Sequence, residues 1–400
     1  MLPGVAKPAC STTINSFPYA ESFESGPAGW TTGGTVSDWA LGSPTKPTIN
    51  SAGDGLSCWI SGGLTSSQYN PSQRSWLQSP CFDFTTLVNP EIRFLIFWET
   101  EYQYDGGNLQ YSIDNGVTWQ TLGSASSDAC EAGNWYDIAS ITNLSGLASP
   151  TAGWSGTIQP SSGSCRGGNG SGGWVTAFYC LRSLAGLPSV TFRFTFGSGT
   201  TCNSYDGLAI DLFRIQEVAP VATSMGYVCQ SSRTVVFTDN QPDCRTNRQW
   251  DFGDGTTETN SAPTISHTFL SEGDYVITLS AEHSCRGTEI TVMTIHLLSF
   301  NAEIVPPSCT SGGAVTIQPI PSGLSNPGIT WADPLYSGFT LIDVEPGLIS
   351  FQLTADQSCP ISDTLVMPGA TDVPLPDLGT DRSFCPAEKI PLTPSGTVYS

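Results

Sequence analysis

Apolar and polar residues alternate along this chain with a period of two, and no stretch holds the three-to-four spacing of a buried helix. Tyr275, Ile277 and Leu279 alternate with Asp274, Val276, Thr278 and Ser280, which predicts a strand with one face in a core. Val190, Phe192 and Phe194 alternate with Thr191, Arg193 and Thr195 in the same way, and Glu91 to Trp98 is a nearly continuous apolar strand. Phe17, Tyr19, Glu21 and Phe23 open the series. The segments 108–113 and 117–122 predict a hairpin with Asn115-Gly116 at its turn. Gly253-Asp254-Gly255 predicts a second tight reversal, because Gly accepts positive φ and Asp closes its own turn. Further on, the segments 314–317, 328–331 and 348–353 read as strands broken by Pro and Gly.

Composition places these strands outside the cytoplasm. Charged residues are 12% of the chain, against about 25% in an average protein, while Gly (42) and Pro (29) are abundant. Thirteen cysteines occur without a CxxC pair, so they imply disulfides and an oxidising compartment rather than zinc or thioredoxin chemistry. Thirty-five acids against fourteen bases give a net charge of −21, which repels nucleic acid and anionic membranes; neither is expected as a partner. The longest apolar runs are strand-sized, so no membrane insertion is expected in this segment. The start of the chain lacks the apolar core of an export signal, and a disulfide-bearing chain without one reads as a piece of a longer protein.

Three motifs resemble a known family. Trp250-Asp251-Phe252-Gly253-Asp254-Gly255, then His267-Thr268-Phe269, then the strand from Asp274 to Ser280 resemble the polycystic kidney disease-type (PKD) domain. The resemblance implies an immunoglobulin-like β-sandwich over residues 218–298, used as a spacer or binding module. Ser16 to Trp30, Ser75 to Phe84, Ser112 to Trp119 and Tyr205 to Ile215 resemble the MAM-like jelly rolls of bacterial surface proteins and cleaved-adhesin domains. The fold expected is therefore all-β: a jelly-roll β-sandwich over 13–217 followed by serial immunoglobulin-like β-sandwiches at 218–298 and 299–370. Residues 1–12 are read as the end of a preceding region. Residues 371–400 are read as a linker and the truncated start of a further repeat, because 378–386 is similar to repeats of gliding-motility adhesins exported by type IX secretion.

The jelly-roll resemblance implies a structural Ca²⁺ where the first strand meets the last. Glu24, Asp54, Asp206 and Asp211 are its candidate ligands, since Ca²⁺ accepts six to eight oxygens from flexible loops. The other reading leaves Glu24 in solvent and Asp211 capping a turn. Nine of eleven tryptophans lie between Trp30 and Trp174. Trp98 and Trp119 are expected in the core. Trp135, Trp154 and Trp174 stand in Gly/Ser-rich loops, and with Tyr136 and Tyr205 they are either packed loops or platforms on which sugars stack.

Cysteine positions relative to the strands predict Cys229–Cys285 and Cys309–Cys359, each closing a comparable loop in successive sandwiches. Cys244 is then left over, and Cys385 pairs beyond Ser400. In the jelly roll six cysteines allow 15 pairings, which the sequence leaves open; Cys58–Cys81, Cys130–Cys165 and Cys180–Cys202 is one of them.

No nucleophile elbow, HExxH run or phosphate-binding loop occurs. Glu99 with Glu101 or Asp105 would be the pair for glycoside hydrolysis, but acids on neighbouring strand positions usually face solvent or a cation. The chain is expected to be no enzyme. It reads as a fragment of a secreted or cell-surface adhesin that contacts cell-surface glycans, proteins or other copies of itself. The alternative is the accessory glycan-binding region of a secreted hydrolase or protease.

Overall fold

The computed structural model describes residues 13–308 and 311–370. It is built of strands, with two short 3₁₀ turns at Thr142–Leu144 and Arg182–Leu184. The described residues form two compact units, one running to Val221 and taking in His283–Gly287, the other made of Ala222–Glu282 and the chain from Thr288 on.

The first unit is a sandwich of two mainly antiparallel sheets. In one, the spatial order is Thr13–Ile14, Arg74–Phe82, Val190–Gly197, Gly106–Ser112 and Gln120–Thr121, with Thr31–Thr35 also paired to Arg74–Phe82. In the other, Ala132–Gly133, Val175–Cys180, Pro90–Glu99, Gly207–Glu217, Cys58–Ile60 and Ala40–Gly42 lie side by side, with Tyr19–Glu21 added to Gly207–Glu217. The period-two pattern is the cause. Phe192 and Phe194 are fully buried while Arg193 between them points outward, and Phe94 and Phe213 meet them from the opposite sheet. Trp30 and Phe213 pack edge-on at 4.8 Å between ring centres, and Phe94 and Phe194 at 4.9 Å. Each ring adds about 2–3 kcal/mol of burial. The Asn-Gly hairpin forms as expected, with Asn115 at φ 59° and Gly116 at φ 78°.

The second unit holds two hydrophobic cores. Around Trp250, Phe237 and Ile277, a three-stranded sheet (Met225–Cys229, Thr234–Asp239, Thr264–Thr268) belongs with a five-stranded one. Tyr275, Ile277 and Leu279 are buried, as their alternation predicts. Gly253 has φ +72°, and a Cβ there would stand 2.7 Å from the Val276 carbonyl oxygen, so only glycine makes this reversal. The other core gathers Val315, Ile317, Trp331, Phe351 and Leu353.

Disulfides depart from expectation. Cys229 pairs with Cys359 and Cys285 with Cys180, so the expected Cys229–Cys285 bridge does not form. The reason is a strand exchange that local spacing does not reveal. Ser358–Cys359 pairs in parallel with Gly287–Leu297, placing Cys359 in the core around Trp250 rather than in its own sandwich. Cys309 lies outside the described residues, and Cys359 is already taken. In the jelly roll Cys165 pairs with Cys202, and Cys58 is a buried free thiol. These facts rule out Cys58–Cys81, Cys130–Cys165 and Cys180–Cys202 alike. Cys244, expected to be left over, is disulfide-bonded, as are Cys81 and Cys130. Cys385 lies outside the described residues.

Candidate functional site

The four acids proposed for calcium fall into two places. Asp206, fully buried, accepts the amides of Thr48 and Ile49 at 2.7 Å each, the Ser67 hydroxyl at 2.5 Å and the Gln159 amide at 3.0 Å. Lys46 is buried beside it and donates to the carbonyls of Ser61, Gly62 and Asp206. Burial pulls the Lys46 pKa down to about 8 despite the Asp206 charge. Asp206 is therefore a strut within a hydrogen-bonded network. Glu24, Asp54 and Asp211 instead share the loop 53–57. Asp211 Oδ2 accepts the amides of Gly53 and Asp54, and Glu24 Oε1 accepts those of Leu56 and Ser57. Burial lifts the Asp211 carboxyl to about 6, with the nearby Asp54 charge adding to it. Among the described residues, no three of these acids bring ligand oxygens within 4.8 Å of one another.

The carboxylates Glu99, Glu101 and Asp105 are also buried. Glu99 accepts the Thr157 hydroxyl and the amides of Ile158 and Gln159; Glu101 accepts the Arg166 amide. Asp105 accepts Tyr69 Oη, Asn143 Nδ2 and the Gly199 amide at 2.7–2.8 Å. Burial raises all three, Asp105 to about 6. They stand as structural ligands of loops, closed to a sugar ring.

The loop aromatics proposed as sugar platforms are mostly core. Trp154 is fully buried, Trp135, Tyr136 and Tyr205 are 8%, 4% and 3% exposed, and only Trp174 of the five is half-buried. The Trp135 and Trp154 indole N–H groups donate to the Leu122 and Asn134 carbonyls, and Tyr136 Oη donates to that of Leu109. Trp174 donates to the Ser51 carbonyl. Backbone closes on two of these rings: a Cβ on Gly123 would lie 2.7 Å from the Trp135 ring nitrogen, and one on Gly53 2.9 Å from the Trp174 ring.

The aromatic surface lies elsewhere. Thr31, Gln78, Arg193, Gln110 and Thr121 are register neighbours across five strands, so they share the outward face of the first sheet. Arg193 sits between two half-buried indoles, 4.1 Å from the Trp119 ring centre and 5.5 Å from that of Trp76. Trp119, expected in the core, belongs to this face. Trp76 lies against bare backbone: a Cβ on Gly33 would stand 2.7 Å from its six-membered ring. Arg193 Nε donates to Gln110 Oε1 at 2.7 Å, and Gln110 in turn donates to the Leu147 carbonyl. Burial lowers the Arg193 pKa to about 10. The one sequence sign was Arg193 amid an alternating aromatic strand; the flanking tryptophans are distant in sequence.

Residues 219–292 match the family described as PKD domain. The chain is thus an all-β array of sandwiches that includes a PKD domain. No curated protein matches it. Among solved structures it is similar to the K1 cleaved adhesin domain of Lys-gingipain (Kgp) from Porphyromonas gingivalis W83, at 16% identity and TM-score 0.30, over 51% of this chain and 100% of that one. It is similar to the glycoside hydrolase domain of Endo-D from Streptococcus pneumoniae R6 at 12% identity and TM-score 0.26, over 67% of this chain and 37% of that one. The adhesin domain of Epf from Streptococcus pyogenes follows at 10% identity and TM-score 0.22, over 67% and 90%. Likenesses this weak carry no argument about function.

Proposed function

We propose that this chain is a non-catalytic attachment segment of a secreted or cell-surface protein, in which the jelly roll contacts a glycan or protein and the sandwiches after it act as spacers. The observation that carries the reading is the PKD match at 219–292 between two further sandwich cores. Disulfides support an extracellular setting. The acids that a glycosidase would use are buried under loops, which favours attachment over hydrolysis. A gliding-type repeat array and type IX export rest on residues 378–386, outside the described residues. Beads coated with the chain should adhere to mucin-coated or cell-coated surfaces more than beads carrying an unrelated β-sandwich, without releasing sugar or peptide. Equal adhesion of the two bead types would sink the reading.

Calcium enters this reading only at the loop 53–57. Glu24, Asp54 and Asp211 would have to draw closer together than they stand to hold it, with further ligands from outside this acid set, and Asp206 would take no part. Calcium would then raise the unfolding midpoint of the first unit over that in chelator, by ordinary linkage. Asp211→Ala should remove the difference and Asp206→Asn should keep it. Identical midpoints for the wild type with calcium and with chelator would discard the cation.

A further inference from the structure

We infer that the outward face of the first sheet, at Trp76, Arg193 and Trp119, binds a terminal carboxylate-bearing sugar. This rests on the reading of the chain as an attachment module and names the site and ligand class. Three observations converge. The chain has 35 acids for 14 bases, yet among the described residues no carboxylate lies within 4 Å of the Arg193 guanidinium. The protein takes one hydrogen bond from it, at Nε, by way of a Gln110 that is itself anchored to Leu147. The guanidinium fork therefore faces outward held in place, with terminal N–H groups free for a bidentate acceptor. Two half-buried indoles flank it, and Gly33 gives Trp76 the room to lie on the neighbouring strand.

Trp76, held between the Gly33 backbone and Arg193, backs the guanidinium. The Trp119 face turned away from Arg193 would take the apolar C–H face of a pyranose ring, and the outer edge of the guanidinium a planar carboxylate. Neutral sugars would leave that charge unmatched. A polyanion is disfavoured for the opposite reason, since a chain of net charge −21 repels it as a whole. One acidic residue at the end of an otherwise neutral glycan fits both constraints.

The test is titration of the full chain with sialyllactose and with a glucuronate-terminated trisaccharide, using lactose and a heparin oligosaccharide as controls. Tryptophan fluorescence and calorimetry are the readouts. At least one acidic probe should bind, with ~10-fold preference over both controls. Arg193→Gln and Trp119→Phe should each weaken that binding by ~10-fold or more, while the unfolding midpoint shows whether the variants are folded. Arg193→Lys keeps the charge but not the fork, and should fall between wild type and Arg193→Gln. Failure of both acidic probes overturns the assignment, as does equal binding of lactose or undiminished binding by a folded Arg193→Gln. If coated beads adhere and Arg193→Gln beads adhere as well, this face is wrong while the attachment reading stands.

Discussion

Replacing Cys229 and Cys359 together by Ser should cost the second unit roughly 5 kcal/mol, the chain-entropy value for a bridge spanning 130 residues. Domains of this kind are stable by about 5–15 kcal/mol, so the variant would stand near the threshold of folding. The local contacts replacing the bridge are few. Ser358–Cys359 is held to Gly287–Leu297 by two register pairs, His296 with Ser358 and Leu297 with Cys359, and the Cys359 side chain is fully buried in the core around Trp250. Without the bond, the serine that replaces Cys359 would put a hydroxyl into that core, adding an unsatisfied polar group. Calorimetry of the full chain should show the transition of the second unit lowered or lost. Peptide mapping should recover Cys229 joined to Cys359. A double variant within about 1 kcal/mol of wild type, or a map joining Cys229 to Cys285, would overturn the pairing.

That pairing was invisible in the sequence for a physical reason, and the same reason separates what was legible from what was not. Period-two alternation is local, so the strands at 190–197 and 273–283 and the all-β class could be read directly from Phe192, Phe194, Ile277 and Leu279. Turn chemistry is local too: Asn115-Gly116 and Gly253 announce their positive φ. Disulfides and surfaces are set by which strands become neighbours, and that information is distributed over hundreds of residues. Cys359 joins a sheet other than that of its own sandwich, so a rule of equal spacing fails there. Trp135 and Trp154 looked like residues of loose Gly-rich loops, yet they pack on Phe94, Tyr136 and each other, contacts that join segments distant in sequence. Conversely Trp119 follows a hairpin turn and looked like core, but its parity with Thr121 and Gln110 turns it to the outer face beside Arg193. Side-chain direction along a strand is legible; which face is covered is not.

The first unit should be more stable at pH 5 than at pH 7, with Asp105 one of several buried carboxyls behind the difference and Asp137, lifted by burial to about 7, another. The Asp105 carboxyl is fully buried, and burial lifts its folded pKa to about 6, with Glu101 close enough to add to the effect. Tyr69 and Tyr205 face the same cluster, but stay protonated throughout. An unfolded Asp titrates near ~3.9, so the folded state binds the extra proton between about pH 4 and 6. The stabilisation is fully present below ~pH 4 and is lost as pH rises through 6, worth roughly 3 kcal/mol at the limit. Glu99, Glu101, Asp137 and Asp211 are raised as well and act with the same sign. Lys46, lowered to about 8, changes charge above this window. Asp105→Asn isolates the effect. Oδ1 takes both N–H donors, from Asn143 and Gly199, so the amide oxygen can keep them. The new NH₂ then meets Tyr69 Oη, which already accepts the Glu101 amide and can turn its proton towards the Cys202 carbonyl. Urea unfolding followed by tryptophan fluorescence reports mainly this unit, which holds nine of the eleven tryptophans. Wild type should lose stability from pH 5 to pH 7, and Asp105→Asn should lose distinctly less. Parallel profiles for the two proteins, or a wild type that gains stability over that range, would show that Asp105 is ionised in its loop at neutral pH without cost.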